Sequence, residues 1–323
     1  MIHHHDIITD EKPTFALALH GGAGVITRLN LSAQDESDYR SSLQYALDRG
    51  YSILANGGSA LDSVEATVTA LEDCPLFNAG RGSVYSSQGR IEMDASIMDG
   101  STRKAGAIAC VSGIKNPIKL ARAVMEKTEH VLLFGQGAMD FAATQLQEGE
   151  YNLPLEYFHT DHRYNQWKQA QRKDLIQLDH TNLETKFGTV GCVALDRFGN
   201  LAAGTSTGGM TNKMAGRVGD SSIIGAGTYA NNESCAVSCT GHGEYMIRGV
   251  IAYDVHCIQE FKKVTLAEAC EEVVHNRLKS IGGEGGLIAV DRYGNISMPF
   301  NTHGMYRAAR SSNGYSVLSI FSE

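Results

Sequence analysis

The sequence predicts an α+β fold in which antiparallel sheets are covered by layers of helices, arranged as a four-layer αββα sandwich. Two observations carry this prediction. Predicted strands occur as hairpins, and two hairpin turns, 196–200 and 291–295, share the pattern Asp-Arg-aromatic-Gly-Asn. Predicted helices follow one another in pairs instead of alternating singly with strands. Separate groups of strands and helices favour stacked layers over a parallel sheet built from βαβ units.

The first half of the chain opens with a predicted buried strand at Phe15–Leu19 and a glycine-rich turn at His20–Gly24. Apolar residues at helical spacing then predict two helices, which Asn56-Gly57-Gly58 separates. Ser59 and Asp62 mark the start of the second helix. We expect the remaining elements in this order: strands at 91–98 and 105–112, a helix from 117, a strand at 130–134 and a helix ending near 147.

A long polar stretch, at about 148–188, separates this half from the next. It contains one possible short helix, at 161–172, and is the expected boundary between two segments. An abrupt apolar strand, Thr189–Leu195, follows it. Thr265 and Glu268 form a capping-box pattern in the second half. The other elements expected there are helices at 244–261 and 266–278 and strands at 287–290 and 296–298.

Composition argues against several classes of function. The chain is 42% hydrophobic and 20% charged, which is typical of water-soluble globular proteins. A net charge of −8 with scattered Lys and Arg argues against nucleic-acid and membrane surfaces as partners. No apolar run approaches the ~18 residues of a membrane span, and the polar N-terminus lacks a secretory core, so we expect a cytoplasmic protein. Seven cysteines without a Cys-x-x-Cys pair predict free thiols.

The pair Gly188-Thr189 is the strongest candidate for chemistry. A threonine at the head of a strand, behind a flexible glycine, is a position where a chain could cut itself and expose a new N-terminal residue. A threonine hydroxyl is a poor nucleophile alone, but a free α-amine, which titrates at about 7.7–8.0, can take its proton. The alternative is an ordinary threonine that starts a core strand.

Three glycine-rich segments, 204–209, 216–220 and 240–244, follow this pair. Glycine lets backbone amides approach a ligand closely, and such amides can stabilise a developing oxyanion. Arg217 offers a planar fork for a carboxylate, and Asp220 offers a negative partner for an ammonium group. Together they predict a receptor for an α-amino-acid end, although a surface turn with an Arg–Asp pair is an alternative. No segment matches a phosphate loop.

Eight motifs stand in order along the chain and closely resemble the plant-type L-asparaginases, also called isoaspartyl peptidases, of the N-terminal nucleophile (Ntn) hydrolases. The resemblance extends from about Ala16 to Tyr306. The motifs lie at 20–24, 74–80, 93–95, 98–100, 188–191, 205–213, 216–221 and 229–232.

This resemblance implies an inactive precursor that cleaves itself between Gly188 and Thr189, into an α chain (1–188, whose polar linker could be trimmed) and a β chain (189–323). The exposed Thr189 then attacks the side-chain amide of asparagine or the isopeptide bond of a β-aspartyl dipeptide. A covalent β-aspartyl enzyme forms, and water releases aspartate. The substrate is thus expected to be a small molecule or a dipeptide, and the mature protein a dimer of αβ heterodimers.

The resemblance also implies roles in tuning the nucleophile, in stabilising the oxyanion and in binding the substrate. They fall as follows: Thr207 hydrogen-bonds the nucleophile, the Thr240 hydroxyl and the Gly241 amide form the oxyanion hole, Arg217 binds the α-carboxylate, Asp220 and the Gly243 carbonyl hold the α-amine, and Asn78 is a supporting polar residue.

No cofactor is expected for catalysis, but the family implies a structural sodium ion held by main-chain carbonyls of one loop. Such ligands leave no side-chain signature. The carbonyls equivalent to these sodium ligands belong to Leu71, Glu72, Cys74, Phe77, Ala79 and Arg81.

Two residues depart from the family pattern. One is His242, whose ring we expect to point away from the pocket. The other is Arg81, whose side chain is irrelevant if only its carbonyl binds the ion.

Two alternatives to an isoaspartyl peptidase stay open. A glycosylasparaginase-like amidohydrolase shares the N-terminal nucleophile, but the absent secretory signal and the context of Gly188-Thr189 count against it. A non-catalytic amino-acid binder that never matures would fit the Arg217 and Asp220 receptor, whereas the intact Thr189 argues against it. A taspase-like protease is disfavoured, because the receptor suits a free amino-acid end.

Overall fold

Strands from both halves of the chain join in one large sheet. The structure is a computed structural model and describes residues 12–29, 31–172 and 188–322; the predicted linker also covers 173–187, which lies outside the described residues. In spatial order the strands of this sheet are β12 (Ser316–Phe321), β11 (Gly304–Ser311), β1 (Ala16–Gly24), β5 (Val190–Leu195), β6 (Leu201–Thr207), β2 (Met93–Asp99), β3 (Ala105–Val111) and β4 (Leu132–Phe134). Neighbouring strands run antiparallel, except β3 and β4, which are parallel.

A smaller sheet packs on one face of the large one. Alternate residues of β1 belong to different hydrophobic cores: Leu17 and Leu19 to the first, Ala16 and Ala18 to the second. Side chains alternate across a strand, so the two cores lie on opposite faces of the large sheet. The second core includes residues of the smaller sheet, whose strands in order are β10 (Ile296–Ser297), β9 (Gly285–Asp291), β8 (Cys235–Gly241) and β7 (Thr228–Ala230).

Helices contribute to both cores. The helices α1, α2 and α3 line the first core, and α8 and α9 line the second together with the smaller sheet. The chain is therefore a mixed α and β protein with helices and stacked sheets, as the hairpins and helix pairs predicted. In chain order the helices are α1 (Ala33–Ala55), α2 (Ala60–Asp73), α3 (Pro117–Lys127), α4 (Gly135–Gln145), α5 (Leu155–Phe158), α6 (Asp161–Arg172), α7 (Gly243–Gly249), α8 (Ile251–Lys262) and α9 (Leu266–Glu271).

Polar caps start three of these helices where the sequence pattern is clearest. The Ser59 hydroxyl accepts a hydrogen bond from the Asp62 amide at the start of α2, as predicted. Thr265 and Glu268 form the predicted capping box of α9. Ser32 forms another at α1. Each cap satisfies an amide that has no partner within its helix. The predicted strands at 91–98 and 105–112 are confirmed as β2 and β3, and the short helix at 161–172 as α6.

The predicted turn at His20–Gly24 is wrong. These residues continue β1 to Gly24, with an irregular register between His20 and Gly22 opposite β11. The glycines suggested a turn, but here they permit a bulge and close packing within a strand. Gly22 has φ +114°, and a Cβ at this position would lie 2.5 Å from the Gly188 nitrogen. The C-terminal end of β1 therefore packs against the predicted cleavage site.

The predicted helix at 244–261 is two helices, α7 and α8. Val250 between them has φ 49° and ψ 47°, a left-handed conformation that is unusual for a β-branched residue. The predicted helix at 266–278 is α-helical only to Glu271 and continues as a π-helix over Glu272–Leu278. Apolar spacing continues across both irregularities, so the sequence pattern does not reveal them.

Four strands escaped prediction: β7, β8, β11 and β12. The residues of β8, Cys235–Gly241, include several small side chains and lack alternation between apolar and polar positions, because the strand is almost fully buried.

In the described part of the chain, no helix combines the length and the apolar character needed to cross a bilayer.

Candidate active site

Thr189 precedes β5 and lies beside the end of β6. The antiparallel register pairs Val190 with Ser206, which brings Thr189 next to Thr207. The Thr189 hydroxyl donates a hydrogen bond of 3.1 Å to Thr207 Oγ1, and only 6% of Thr189 is exposed. Thr207 Oγ1 also accepts a 2.9 Å bond from the Gly209 amide. Two threonine hydroxyls thus meet at the edge of the glycine-rich segment.

Asn78 supports that segment from the other half of the chain. Its side-chain amide nitrogen donates to the Gly209 carbonyl (2.7 Å), and its side-chain oxygen accepts from the Val84 amide (3.0 Å). The Gly208 amide donates to the Asn78 carbonyl. Both ends of the amide are therefore engaged with backbone, so this residue holds the loop after Thr207.

Arg217 is paired with a carboxylate of the chain itself. Its Nε and Nη2 donate to the two oxygens of Glu244, each at 2.9 Å. The His242 ring, expected to point away from the pocket, lies beside this ion pair, with its Nε2 3.2 Å from Glu244 Oε2. Hydrogen bonds from His242 and Arg217 hold the pKa of Glu244 well below its usual range. Sequence reasoning missed Glu244, although it ends the segment 240–244.

Asp220 carries a buried carboxyl group with an unsatisfied oxygen. It begins a short 3₁₀ turn, Asp220–Ser222, and is 3% exposed. Its Oδ2 has no hydrogen-bond partner among the described residues. Burial raises the pKa of this carboxyl to about 7, although the nearby Arg217 opposes the rise. A Cβ at Gly243 would lie 2.8 Å from Asp220 Oδ1 and 2.8 Å from Arg217 Nη2, so both charged groups face the Gly243 backbone.

Thr240 and Gly241 are the last two residues of β8. A contact of 2.7 Å between Ser238 Oγ and Thr205 Oγ1 links β8 to β6. The Thr240 hydroxyl is buried and has no hydrogen-bond partner in the part of the chain that the structure describes. Gly241 has φ +146°, and a Cβ there would lie 2.6 Å from the Gly285 Cα, so only glycine fits. A buried hydroxyl without a partner is costly unless a ligand satisfies it.

The last turn of α2 and the loop that follows it contain the six residues expected to provide carbonyl ligands. A Cβ at Gly80 would lie 2.5 Å from the Glu72 carbonyl oxygen, and one at Gly82 would clash with that of Phe77. The glycines thus leave room beside these oxygens, the hard donors that an alkali cation prefers. The Arg81 guanidinium lies 5.7 Å from the centre of the Tyr157 ring. Across the described ranges, no cluster of three His, Cys, Asp or Glu side chains could hold a metal ion.

Comparison with known proteins agrees with the motifs. The family model described as asparaginase matches residues 13–320. The isoaspartyl peptidase of Salmonella typhimurium is 52% identical over 296 residues, covering 90% of this chain and 94% of that protein. The isoaspartyl peptidase of Escherichia coli is 51% identical, covering 90% and 91%. The isoaspartyl peptidase/L-asparaginase of Homo sapiens is 45% identical over 275 residues, covering 85% of each. The chain therefore belongs to the asparaginase family, as its motifs predicted.

Proposed function

We propose that this protein is an isoaspartyl peptidase with L-asparaginase activity, in which Thr189 is an N-terminal nucleophile. The observation that carries the proposal is the hydrogen bond between Thr189 and Thr207, located where a glycine precedes the strand. The names of relatives that are 45–52% identical support the substrate class.

Activation is a cut between Gly188 and Thr189 that produces an α chain of residues 1–188 and a β chain of residues 189–323. The Thr189 hydroxyl attacks the Gly188 carbonyl carbon, the peptide becomes an ester, and water hydrolyses the ester. Gly22 packs closely against the scissile bond, because a Cβ at this position would lie 2.5 Å from the Gly188 nitrogen. The cut frees the Thr189 α-amine.

During turnover the α-amine takes the proton of the Thr189 hydroxyl, and Oγ1 attacks the β-carbonyl carbon of the substrate. The oxyanion is stabilised by the Thr240 hydroxyl and the Gly241 amide. The buried Thr240 hydroxyl, which has no partner in the described part of the chain, supports this role. Ammonia or the amine of the dipeptide leaves, and water then releases aspartate from the β-aspartyl ester on Thr189.

The amino-acid end of the substrate binds between Arg217 and Asp220. The unsatisfied Asp220 Oδ2, together with the Gly243 carbonyl, receives the α-ammonium group. Arg217 binds the α-carboxylate and remains paired with Glu244. The pair with Glu244 occupies Arg217 Nε and one hydrogen of Arg217 Nη2. Arg217 Nη1 donates to no group in the part of the chain that the structure describes, so this nitrogen is available to the substrate. Asn78 acts indirectly, by holding the glycine-rich loop.

The arrangement of helices and stacked sheets supports the four-layer αββα sandwich of the Ntn hydrolases. The mature enzyme is proposed to be a dimer of αβ heterodimers that binds small molecules or dipeptides. A reducing, cytoplasmic location is supported by the seven cysteines, all of which are free.

The last turn of α2 and the glycine-containing loop after it are proposed to hold a structural sodium ion through the six carbonyls named above. A cation that binds only the folded protein raises its stability, by about 2.7 kcal/mol at a hundredfold excess over the dissociation constant. We therefore expect the melting temperature to fall by several degrees when choline replaces sodium, and to recover when sodium returns. Arg81→Ala should leave this response unchanged, because only its carbonyl binds. Equal melting temperatures in both salts would contradict the site.

The test of the whole proposal is the intact mass of the purified protein, followed by turnover. We expect a fragment that begins at Thr189 and release of aspartate from a β-aspartyl dipeptide and from L-asparagine. An uncut chain after long incubation would instead indicate a binder that does not mature. Cleavage with turnover of N-glycosylated asparagine alone would indicate the glycosylasparaginase-like alternative.

A further inference from the structure

His20, where β1 becomes irregular, is buried and hydrogen-bonded at both ring nitrogens. Its Nδ1 lies 3.0 Å from the Thr189 carbonyl oxygen, and its Nε2 lies 2.9 Å from Ser238 Oγ. Neither partner is charged. Burial lowers the pKa of the ring to about 3, so the imidazole is neutral at physiological pH. The sequence suggested no role for this residue beyond a turn.

The two partners determine which nitrogen carries the proton. A carbonyl oxygen only accepts hydrogen bonds, so Nδ1 must donate to Thr189. Nε2 of the neutral ring is then an acceptor, and the Ser238 hydroxyl donates to it. With its only proton used, Ser238 Oγ accepts from Thr205 (2.7 Å), and Thr205 Oγ1 accepts from Thr228 (2.6 Å). A row of buried hydroxyls thus leads to the His20 ring, which donates to the Thr189 carbonyl.

This row passes from one sheet to the other through a gap that glycine creates. His20 and Gly191 are paired residues of β1 and β5, in the large sheet, whereas Ser238 belongs to β8 in the smaller sheet. A Cβ at Gly191 would lie 2.5 Å from His20 Nε2 and would clash with Ser238 Oγ. Gly191 therefore opens the space in which the imidazole and the serine meet.

We propose that His20 is a positioning residue that orients the nucleophilic threonine of the mature enzyme; this inference rests on the proposed function. After the cut, Thr189 has no residue before it to fix its position. Thr207 holds its side chain and His20 holds its carbonyl group. Because the Cα is tetrahedral, fixing two substituents also fixes the direction of the third, the α-amine. The amine is thereby kept where it can take the hydroxyl proton.

The test compares kcat and KM of variants, normalised to the number of chains that begin at Thr189. His20→Leu should lower kcat by about 100-fold, the size of effect that a misplacement of about 1 Å can cause, with KM changed less than about threefold. His20→Asn should recover kcat to within about tenfold of wild type, because its amide nitrogen can replace Nδ1 as donor to the carbonyl. Ser234→Ala is the matched control, since it removes another buried serine–histidine bond, the 2.6 Å contact with His256.

A wild-type kcat in His20→Leu would overturn the proposal, as would an equal loss in His20→Asn and His20→Leu. If His20→Leu does not fold or mature, NMR of the wild-type enzyme labelled with ¹⁵N-histidine decides. A proton on Nδ1 and a bare Nε2 between pH 5 and 8 would support the proposal, whereas the opposite tautomer or a charged ring would overturn it. Failure of the wild-type protein to mature or to release aspartate would instead refute the proposed function.

Discussion

Thr189→Ala is expected to abolish both the cut at Gly188–Thr189 and the release of aspartate. In the proposed mechanism its hydroxyl is the attacking group in both reactions, and the nearby Thr207 hydroxyl belongs to a residue that has no free α-amine. Intact mass after prolonged incubation should show one uncut chain. Aspartate release should fall to the background of the assay.

Thr189→Ser is the matched control, because it keeps a hydroxyl at the same position. This variant should still mature and turn over substrate, at a rate below that of wild type. Maturation of Thr189→Ala, or equal inactivity of both variants when each is folded, would contradict the assignment of the nucleophile. Circular dichroism establishes that both are folded.

Asp220→Asn is expected to raise KM for a β-aspartyl dipeptide by about 100-fold at pH 8. The substitution replaces the proposed charge-assisted hydrogen bond to the substrate ammonium by a neutral one in a buried site. Each ~1.4 kcal/mol of lost binding free energy raises the dissociation constant tenfold. Asp140→Asn, which removes the same formal charge from an exposed position on α4, is the control. An unchanged KM in Asp220→Asn would remove the proposed ammonium site.

The same carboxyl predicts the pH dependence. Burial raises its pKa to about 7, while the neighbouring Arg217 lowers it and Glu244 and Asp94 raise it. Below that pH the carboxyl is protonated and cannot pair with an ammonium group, so kcat/KM should rise with pH through about 7. The free α-amine adds a second rise at about 7.7–8.0. Asp220→Asn should retain only the upper transition, and a profile identical to that of wild type would contradict the assignment.

The sequence predicted the fold best where local signals and burial agree. The caps at Ser59 and Thr265 are local hydrogen bonds, so the starts of these two helices could be placed before any tertiary contact was known. The glycines at His20–Gly24 were misinterpreted because a bulge and a turn place the same demand on the backbone. Only pairing with β11 on one side and β5 on the other makes this segment a strand.

The candidate site was predictable only in part. The resemblance placed Thr207 beside Thr189, and the hairpin turn 196–200 gives the same pairing, because it sets the register of Val190 opposite Ser206. The Arg217–Glu244 pair joins residues 27 positions apart, and the contact between His20 and Ser238 spans 218 positions. Such long-range contacts depend on how the sheets stack, and no local pattern specifies them.

The order of strands in the large sheet has a consequence for the mature enzyme. The strand β1 lies between β11 and β5, and β2 lies beside β6, so segments on either side of Thr189 alternate within one hydrogen-bonded sheet. If the chain is cut as proposed, the products would remain interleaved, and we expect the fold to persist without the bond. Complete unfolding, however, would separate two polypeptides, whose return to the native state depends on their concentration. The durability of the activated enzyme would then be governed by how slowly the sheet opens, which is kinetic stability.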